Sequence, residues 1–264
     1  MIELNKIYNE DCLEGMKKIP DGSIDMILCD LPYGTTASKW DSIIDFEKLW
    51  EEYERIISDN GAIVLTASGS FTHKVISSNE KLFRYKWIWI KSRPGNFVNA
   101  NNRPMTKYEE VLVFSRGKTA NGSKNKMKYN PQGLIEVNKT TKASPNRFGT
   151  MAGKRPSHQK YIKQKYTNYP VDVLEFNSLG SYSHPNQKPV DLFEYLIKTY
   201  TNKGDTVLDN CAGSFTTAVA CDNTNRNWIC MEKEEEYCNI GLTRINDNRE
   251  RLNLPLLERI SENE

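Results

Sequence analysis

Hydrophobic and polar positions along this chain sort into two alternating kinds of segment. Short continuous apolar runs ending in polar residues read as strands buried on both faces. IDMILCD (24–30), GAIVLTA (61–67), YKWIWIK (85–91), YEEVLVFS (108–115), DTVLDN (205–210) and NWICME (227–232) are of this kind, with IYN (7–9) as a shorter one. Between them lie segments of helical period. DFEKLWEEYERII puts Phe46, Leu49, Trp50, Tyr53, Ile56 and Ile57 on one face, and DLFEYLIKTY (191–200) does so with Leu192, Phe193, Leu196, Ile197 and Tyr200. Helices are also expected over SFTHKVISSN, over SFTTAVACD and from Tyr237 to Arg251. Alternating elements of this sort predict an α/β fold with a doubly wound, mostly parallel sheet.

One stretch breaks the pattern. From Arg116 to Lys165 the apolar periodicity fades and Asn, Gly, Thr, Ser and Pro rise. Thirteen Lys and Arg stand there against a single acid, Glu136, so the segment carries +12. With a net charge of +2 overall, the rest carries −10. Tyr129, Phe148, Tyr161, Tyr166 and Tyr169 are interleaved with the cations. A long solvated loop would look like this, and so would a module that meets phosphates and stacks on bases. Residues 116–182 are read as a nucleic-acid-facing insert between the two parts of one domain, 1–115 and 183–264.

Composition sets wider limits. A hydrophobic content of 38% in 264 residues supplies a globular core and excludes wholesale disorder. No apolar run approaches the ~20 residues that span a bilayer. MIELNKIYNEDC has no basic segment leading into an apolar one, so no secretory signal is expected and a cytoplasmic setting is. Six cysteines without a CxxC pair, and only three histidines, point to reduced, mostly buried thiols and no metal site.

Three motifs carry candidate chemistry. In VLDNCAGSFTTAVA, Asp209 ends a strand and Gly213 sits in the turn that leads to a helix; Glu232 ends the next strand. An acid in that position is placed to take both hydroxyls of a ribose. With one glycine where a dinucleotide turn has three, close approach of a pyrophosphate is poorly supported. A nucleoside without phosphates fits better, S-adenosylmethionine among them; an ordinary βαβ turn has the same outline. In CDLPYGTT, Asp30, Leu31, Pro32 and Tyr33 directly follow a buried strand. A carboxylate, a proline-stiffened carbonyl and an aromatic ring suit a planar base with an exocyclic amine. Asp30 and the Leu31 carbonyl would accept hydrogen bonds from the amine, and Tyr33 would stack on the ring. A Pro-Tyr turn that merely caps the strand is the plainer alternative. SHPNQKP (183–189) offers His184 and Lys188; it reads either as a loop whose prolines fix the start of a helix or, for Lys188, as pocket wall.

Together these motifs resemble the amino-methylating DNA methyltransferases, which methylate adenine N6 or cytosine N4. That family carries D/N/S-P-P-Y/F and an approximate D-x-F-x-G-S-G-T-T. Here they stand as Asp30-Leu31-Pro32-Tyr33 and Asp209-Asn210-Cys211-Ala212-Gly213-Ser214-Phe215-Thr216-Thr217. The HPxQKP element matches at 184–189, and the acid with a tyrosine five residues on matches at Glu232 and Tyr237. The catalytic motif precedes the insert and the cofactor motif follows it, the family's permuted β order, with target recognition between.

The resemblance implies a class I methyltransferase fold, S-adenosylmethionine as donor, double-stranded DNA as substrate and homodimers. It makes Asp30, Leu31, Pro32 and Tyr33 the catalytic tetrad. Asp11 would hold the amino group of the cofactor adenine with Cys12 beside it. Asp30, Lys188, residues 209–214, Thr216, Glu232 and Lys233 would complete the cofactor site. The implied reaction is direct transfer to adenine N6 of a base flipped out of the duplex, to which an aspartate at position 30 inclines. The alternatives are cytosine N4, an RNA or glutamine-amide substrate, and a non-catalytic DNA-binding protein on the same scaffold. No Pro-Cys dipeptide occurs, against C5-cytosine chemistry. Two departures stand out: Leu31 for the first proline of the pair, and Phe215 for a glycine, where a side chain aimed inward would narrow the pocket.

Overall fold

The computed structural model describes residues 2–35, 41–142, 161–177 and 187–258. His184, Phe148 and the end of the C-terminal tail lie outside them. The chain divides into two compact units, 1–130 with 172–264, and 131–171.

The first unit is built on an eight-stranded sheet. Its strands are β1 (Lys6–Asn9), β2 (Ile24–Cys29), β3 (Ile57–Ala67), β4 (Phe83–Gly95), β5 (Thr106–Phe114), β8 (Val173–Phe176), β9 (Thr206–Asp209) and β10 (Asn227–Glu232), in the order β1-β10-β9-β2-β3-β5-β4-β8. All neighbours are parallel except where β5 runs against β3 and β4.

Helices cover both faces, and successive strand residues point to opposite ones. On one face Met26 and Leu28 of β2, Val111 and Val113 of β5, and Trp228 and Cys230 of β10 pack with α4 (Val190–Tyr200), α5 (Thr216–Thr224) and α6 (Glu235–Leu252). On the other, Ile27, Cys29, Leu112, Phe114, Ile229 and Met231 pack with α1 (Cys12–Met16), α2 (Phe46–Ile56) and α3 (Ser70–Ser78). Apolar layers above and below explain why the strands read as unbroken hydrophobic runs. Two of the helix starts are set by local side-chain caps. Asp45 caps α2 by accepting from the Glu47 and Lys48 amides, and Asp11 caps α1 by accepting from the Leu13 amide at 2.9 Å.

The compact second unit, 131–171, lies inside the 116–182 read as an insert, since the first unit runs to Asn130 and resumes at Asp172. Lys128 pairs with Asp25 at 3.0 Å and Asp205 at 2.5 Å, while Arg116 donates to the Glu54 carbonyl. Both cations counted towards a polyanion site are therefore spent within the fold. The second unit has regular structure. It holds an antiparallel ribbon of β6 (Ile135–Lys142) and β7 (Tyr161–Thr167), with Lys139 opposite Gln164 and Thr140 opposite Lys163.

Phe215 lies in the core of the first unit. It is fully buried, with its backbone in the left-handed region at φ 58°, and its ring packs against Gly241 of α6. A Cβ on Gly241 would sit 2.0 Å from Phe215 Cδ2. Gly241→Ala is therefore expected to destabilise the protein by ~1–3 kcal/mol through overpacking, despite the ~1 kcal/mol alanine usually gains over glycine in a helix. In denaturant titrations the double variant with Phe215→Gly should cost less than the sum of the two single changes; additive costs would mean that the two residues do not share one space.

Candidate active site

β2 and β9 are adjacent and parallel, with Met26 opposite Val207 and Ile27 opposite Leu208. From β2 the chain goes by α2 to β3; from β9 it goes by α5 to β10, on the other side in the sheet. Connections leaving neighbouring strands in opposite directions open a crevice at their carboxyl ends. A cavity of about 280 Å³ lies there, lined by the whole of 30–33 and by Asp209 to Ser214 with Thr216. Asp11, Cys12, Lys188, Glu232, Lys233 and Tyr237 also line it, with Glu10, Asp41 and Glu109 among the rest. The two motifs, some 180 positions apart in sequence, thus share a single cavity, and every site residue expected from the sequence lines it.

Asp30 is held from several directions. Its Oδ1 accepts from the Tyr33 hydroxyl at 3.0 Å and from the Thr66 hydroxyl, and its Oδ2 accepts from Lys188 Nζ at 2.6 Å. A carboxylate offers about four acceptor sites. Three are used by these donors, which leaves one, on Oδ2. Tyr33 stacks on Phe71 with ring centroids 4.7 Å apart. Burial first, then the Asp30 charge, push the Tyr33 hydroxyl well above its ordinary pKa, so it stays a donor. Leu31 is buried in the α1–α3 face of the core, which accounts for a leucine where the family has proline.

Lys188 is only 8% exposed. Burial works against its charge, but Asp30 and Glu109 facing it outweigh burial, and its pKa lies above the ordinary lysine value. Glu109 Oε2 is 3.4 Å from Lys188, and Glu109 Oε1 is 3.0 Å from Lys91. Burial raises the Glu109 pKa, yet the two lysines draw it below the usual carboxylate value. The wall residue expected at 188 is thus the centre of an ion-pair chain. Thr66, Lys91 and Glu109 were missed by sequence reasoning. Their only signal was a polar residue late in GAIVLTA and paired acids opening YEEVLVFS.

The other wall is a set of satisfied turns. Gly213 N donates to Glu232 Oε2 at 2.8 Å, and Glu234 N donates to Oε1 at 2.9 Å. Burial raises the Glu232 pKa against these amides. Tyr53 donates to Asn210 at 2.6 Å; Arg244 donates to the Ser214 carbonyl at 2.5 Å and to Thr216 Oγ1 at 3.0 Å. Thr216 also donates to the Lys188 carbonyl at 3.3 Å, which ties the two walls together. Seven carboxyl side chains and two lysines line the cavity. That charge suits a cationic nucleoside without phosphates. Among the described residues, no group of three or more His, Cys, Asp or Glu could hold a metal ion, and no helix is long and apolar enough to cross a membrane.

Sheet order, switch point and cavity define the class: an S-adenosylmethionine-dependent methyltransferase of the class I fold. Solved structures share it. The M1.HpyAVI–S-adenosylmethionine complex superposes with a TM-score of 0.58 at 23% identity, over 90% of this chain and 98% of that one. The cytosine-N4-specific PvuII DNA methyltransferase does so at 0.63 and 15%, over 94% and 92%. In sequence, DNA adenine methyltransferase YhdJ of Escherichia coli (strain K12) is 30% identical over 258 residues, 92% of this chain and 83% of that protein. Type II methyltransferase M1.MboII of Moraxella bovis is 26% identical over 262 residues, 90% and 95% of the two chains. The N6_N4_Mtase family, described as DNA methylase, matches residues 24–243. The protein belongs to this family of amino-methylating DNA methyltransferases, and S-adenosylmethionine is its methyl donor.

Asp209, beneath the turn, accepts from Thr217 at 2.5 Å and from the Cys211 amide at 3.2 Å. Burial dominates, and its pKa is pushed up to about 7 from 3.8. The folded state therefore binds a proton here that the unfolded chain releases near pH 4. The associated stability is complete below that pH and is lost as pH rises through about 7. Stability relative to Asp209→Asn should fall between pH 4.5 and 7 at up to ~1.4 kcal/mol per unit. Parallel urea-denaturation curves for the two proteins across that range would contradict the buried proton.

Proposed function

We propose that this protein methylates the N6 amino group of adenine in duplex DNA, acting on a base rotated out of the helix. The observation that carries the reading is the Asp30 carboxylate, fixed by Lys188, Thr66 and Tyr33, opening into the same cavity as the 209–216 turn. The similarity to YhdJ, named as a DNA adenine methyltransferase, supports adenine. So does the aspartate itself, since the N4-cytosine enzymes of the family often have serine there.

Glu232, Asp11 and the 209–216 turn would hold S-adenosylmethionine, whose sulfonium supplies an electrophilic methyl group when bound. An aromatic amine is a poor nucleophile because its lone pair is delocalised into the ring. The remaining acceptor site on Asp30 Oδ2 takes one amine N–H, and the Leu31 carbonyl takes the other. Together they restore electron density to nitrogen and aim it. Lys188 keeps the carboxylate in place. Tyr33, backed by Phe71, offers its ring to the base.

The ribbon of the second unit supplies contacts to the duplex. Lys139 and Lys142 on β6 and Lys163 and Lys165 on β7 are exposed. A two-stranded ribbon is one of the shapes that enter the major groove, and lysines along it neutralise phosphates.

Asp30→Ala should lower methyl transfer by at least ~10²–10³-fold while DNA affinity stays near that of the wild type. Incubation with methyl-labelled donor and DNA, followed by nucleoside mass spectrometry, should give N6-methyladenine. N4-methylcytosine as the product would redirect the reading to the other amine, and an active Asp30→Ala would remove Asp30 from the mechanism.

A further inference from the structure

β4 and β5 form a hairpin that carries Lys91 and Glu109 on the turn side of its ladder, and its turn spans 96–105. β4 runs parallel to β2 and β3 in direction, so this turn lies at the same end of the sheet as Asp30. The turn presents Phe97 and Val98 to solvent, 77% and 93% exposed. No other large apolar pair in the first unit is so bare among the described residues. The surrounding chemistry is equally one-sided. Between 91 and 108 there are four cations, Lys91, Arg93, Arg103 and Lys107, four asparagines and no acid. Arg93, Arg103 and Lys107 are exposed and enter no ion pair among the described residues.

The tip is also preorganised. Asn96 adopts the left-handed conformation at φ 67°, and its Oδ1 accepts from Asn99 Nδ2 at 2.7 Å. Ala100 N donates to the Phe97 carbonyl at 2.9 Å, and Arg103 N to the Asn99 carbonyl at 3.0 Å. A short helical turn thus holds two apolar side chains outward instead of folding them back. Phe97 is six residues beyond Lys91, so it reaches at most ~20 Å past the ion-pair chain that ends on Asp30. That is about six base steps of a duplex.

We propose that Phe97, with Val98, is a wedge that enters the DNA stack at the position vacated by the flipped base, while Arg93, Arg103 and Lys107 hold the flanking phosphates. The inference rests on the reading that this protein methylates a base in DNA. Extruding a base leaves a gap between two planar faces, and a phenyl ring fills it without demanding a sequence. Apolar wedges between base steps are a general device of proteins that distort duplexes. Cations and amides around an exposed phenyl suit a polyanion with stacked bases, and they disfavour an apolar protein partner.

The test uses an oligonucleotide duplex holding the site identified by sequencing DNA methylated by the wild-type protein. Single-turnover methylation is measured on this duplex and on one with an abasic site opposite the target base. Phe97→Ala should slow the paired duplex by about tenfold or more and recover on the abasic duplex, where no pairing resists extrusion. Phe97→Leu, still an apolar wedge, should retain most of the rate. Donor affinity by calorimetry should not change. Equal rates for wild type and Phe97→Ala on the paired duplex would overturn the proposal, as would an equal loss on both duplexes. A change in oligomeric state on sedimentation would make the tip a contact between copies instead. A wild-type protein that methylates no DNA would refute the functional reading itself, a result separable from all of these.

Discussion

The site depends on how two neighbouring strands are left by the chain. β2 and β9 are parallel and adjacent, and their outgoing connections diverge to opposite sides in the sheet. No helix can close over both ends at once, so a cavity is built into the topology. Everything with chemistry follows from that gap. Asp30 is the residue after β2 and Asp209 the last of β9, so their positions are set by strand register and not by a flexible loop. The sheet core, buried on both faces, supplies the rigidity.

Charge is then placed against burial. Lys188 comes from the segment before α4, and its carbonyl is tied to Thr216 while its ammonium reaches Asp30 and Glu109. Buried carboxylates without such a partner would be driven towards protonation, as Asp209 is. On the opposite wall Lys188 and Lys91 outweigh burial and draw the Glu109 pKa below the usual carboxylate value. Losing one member of such a buried chain exposes the others to the cost of an unpaired charge. The pairs Lys91–Glu109–Lys188–Asp30 therefore act as one unit that spans β4, β5 and β2.

Much of this was legible in the sequence, for identifiable reasons. Strands covered on both faces must be apolar throughout, so IDMILCD and NWICME announce themselves. A helix with one buried stripe shows the period of Leu49, Tyr53 and Ile56. The missed elements lack those constraints. β6 is exposed along nearly all its length, so its residues carry no alternation to read. Glu109 and Thr66 act on partners far away in sequence, which no local pattern reveals. The cation count misled for the same reason: Lys128 is neutralised by Asp25 and Asp205, 103 and 77 positions away. Phe215 looked like an obstruction because its fit depends on Gly241 in the helix behind it.

The central claim is that the residues after β2 and the turn after β9 bind the two halves of one reaction in one cavity. A crystal structure with a non-reactive analogue of S-adenosylmethionine tests it most directly. The account predicts the analogue between the 209–214 turn and Glu232, with its sulfonium-mimicking end towards Asp30. Density for the analogue elsewhere on the protein, or in this cavity with that end turned away from Asp30, would contradict it.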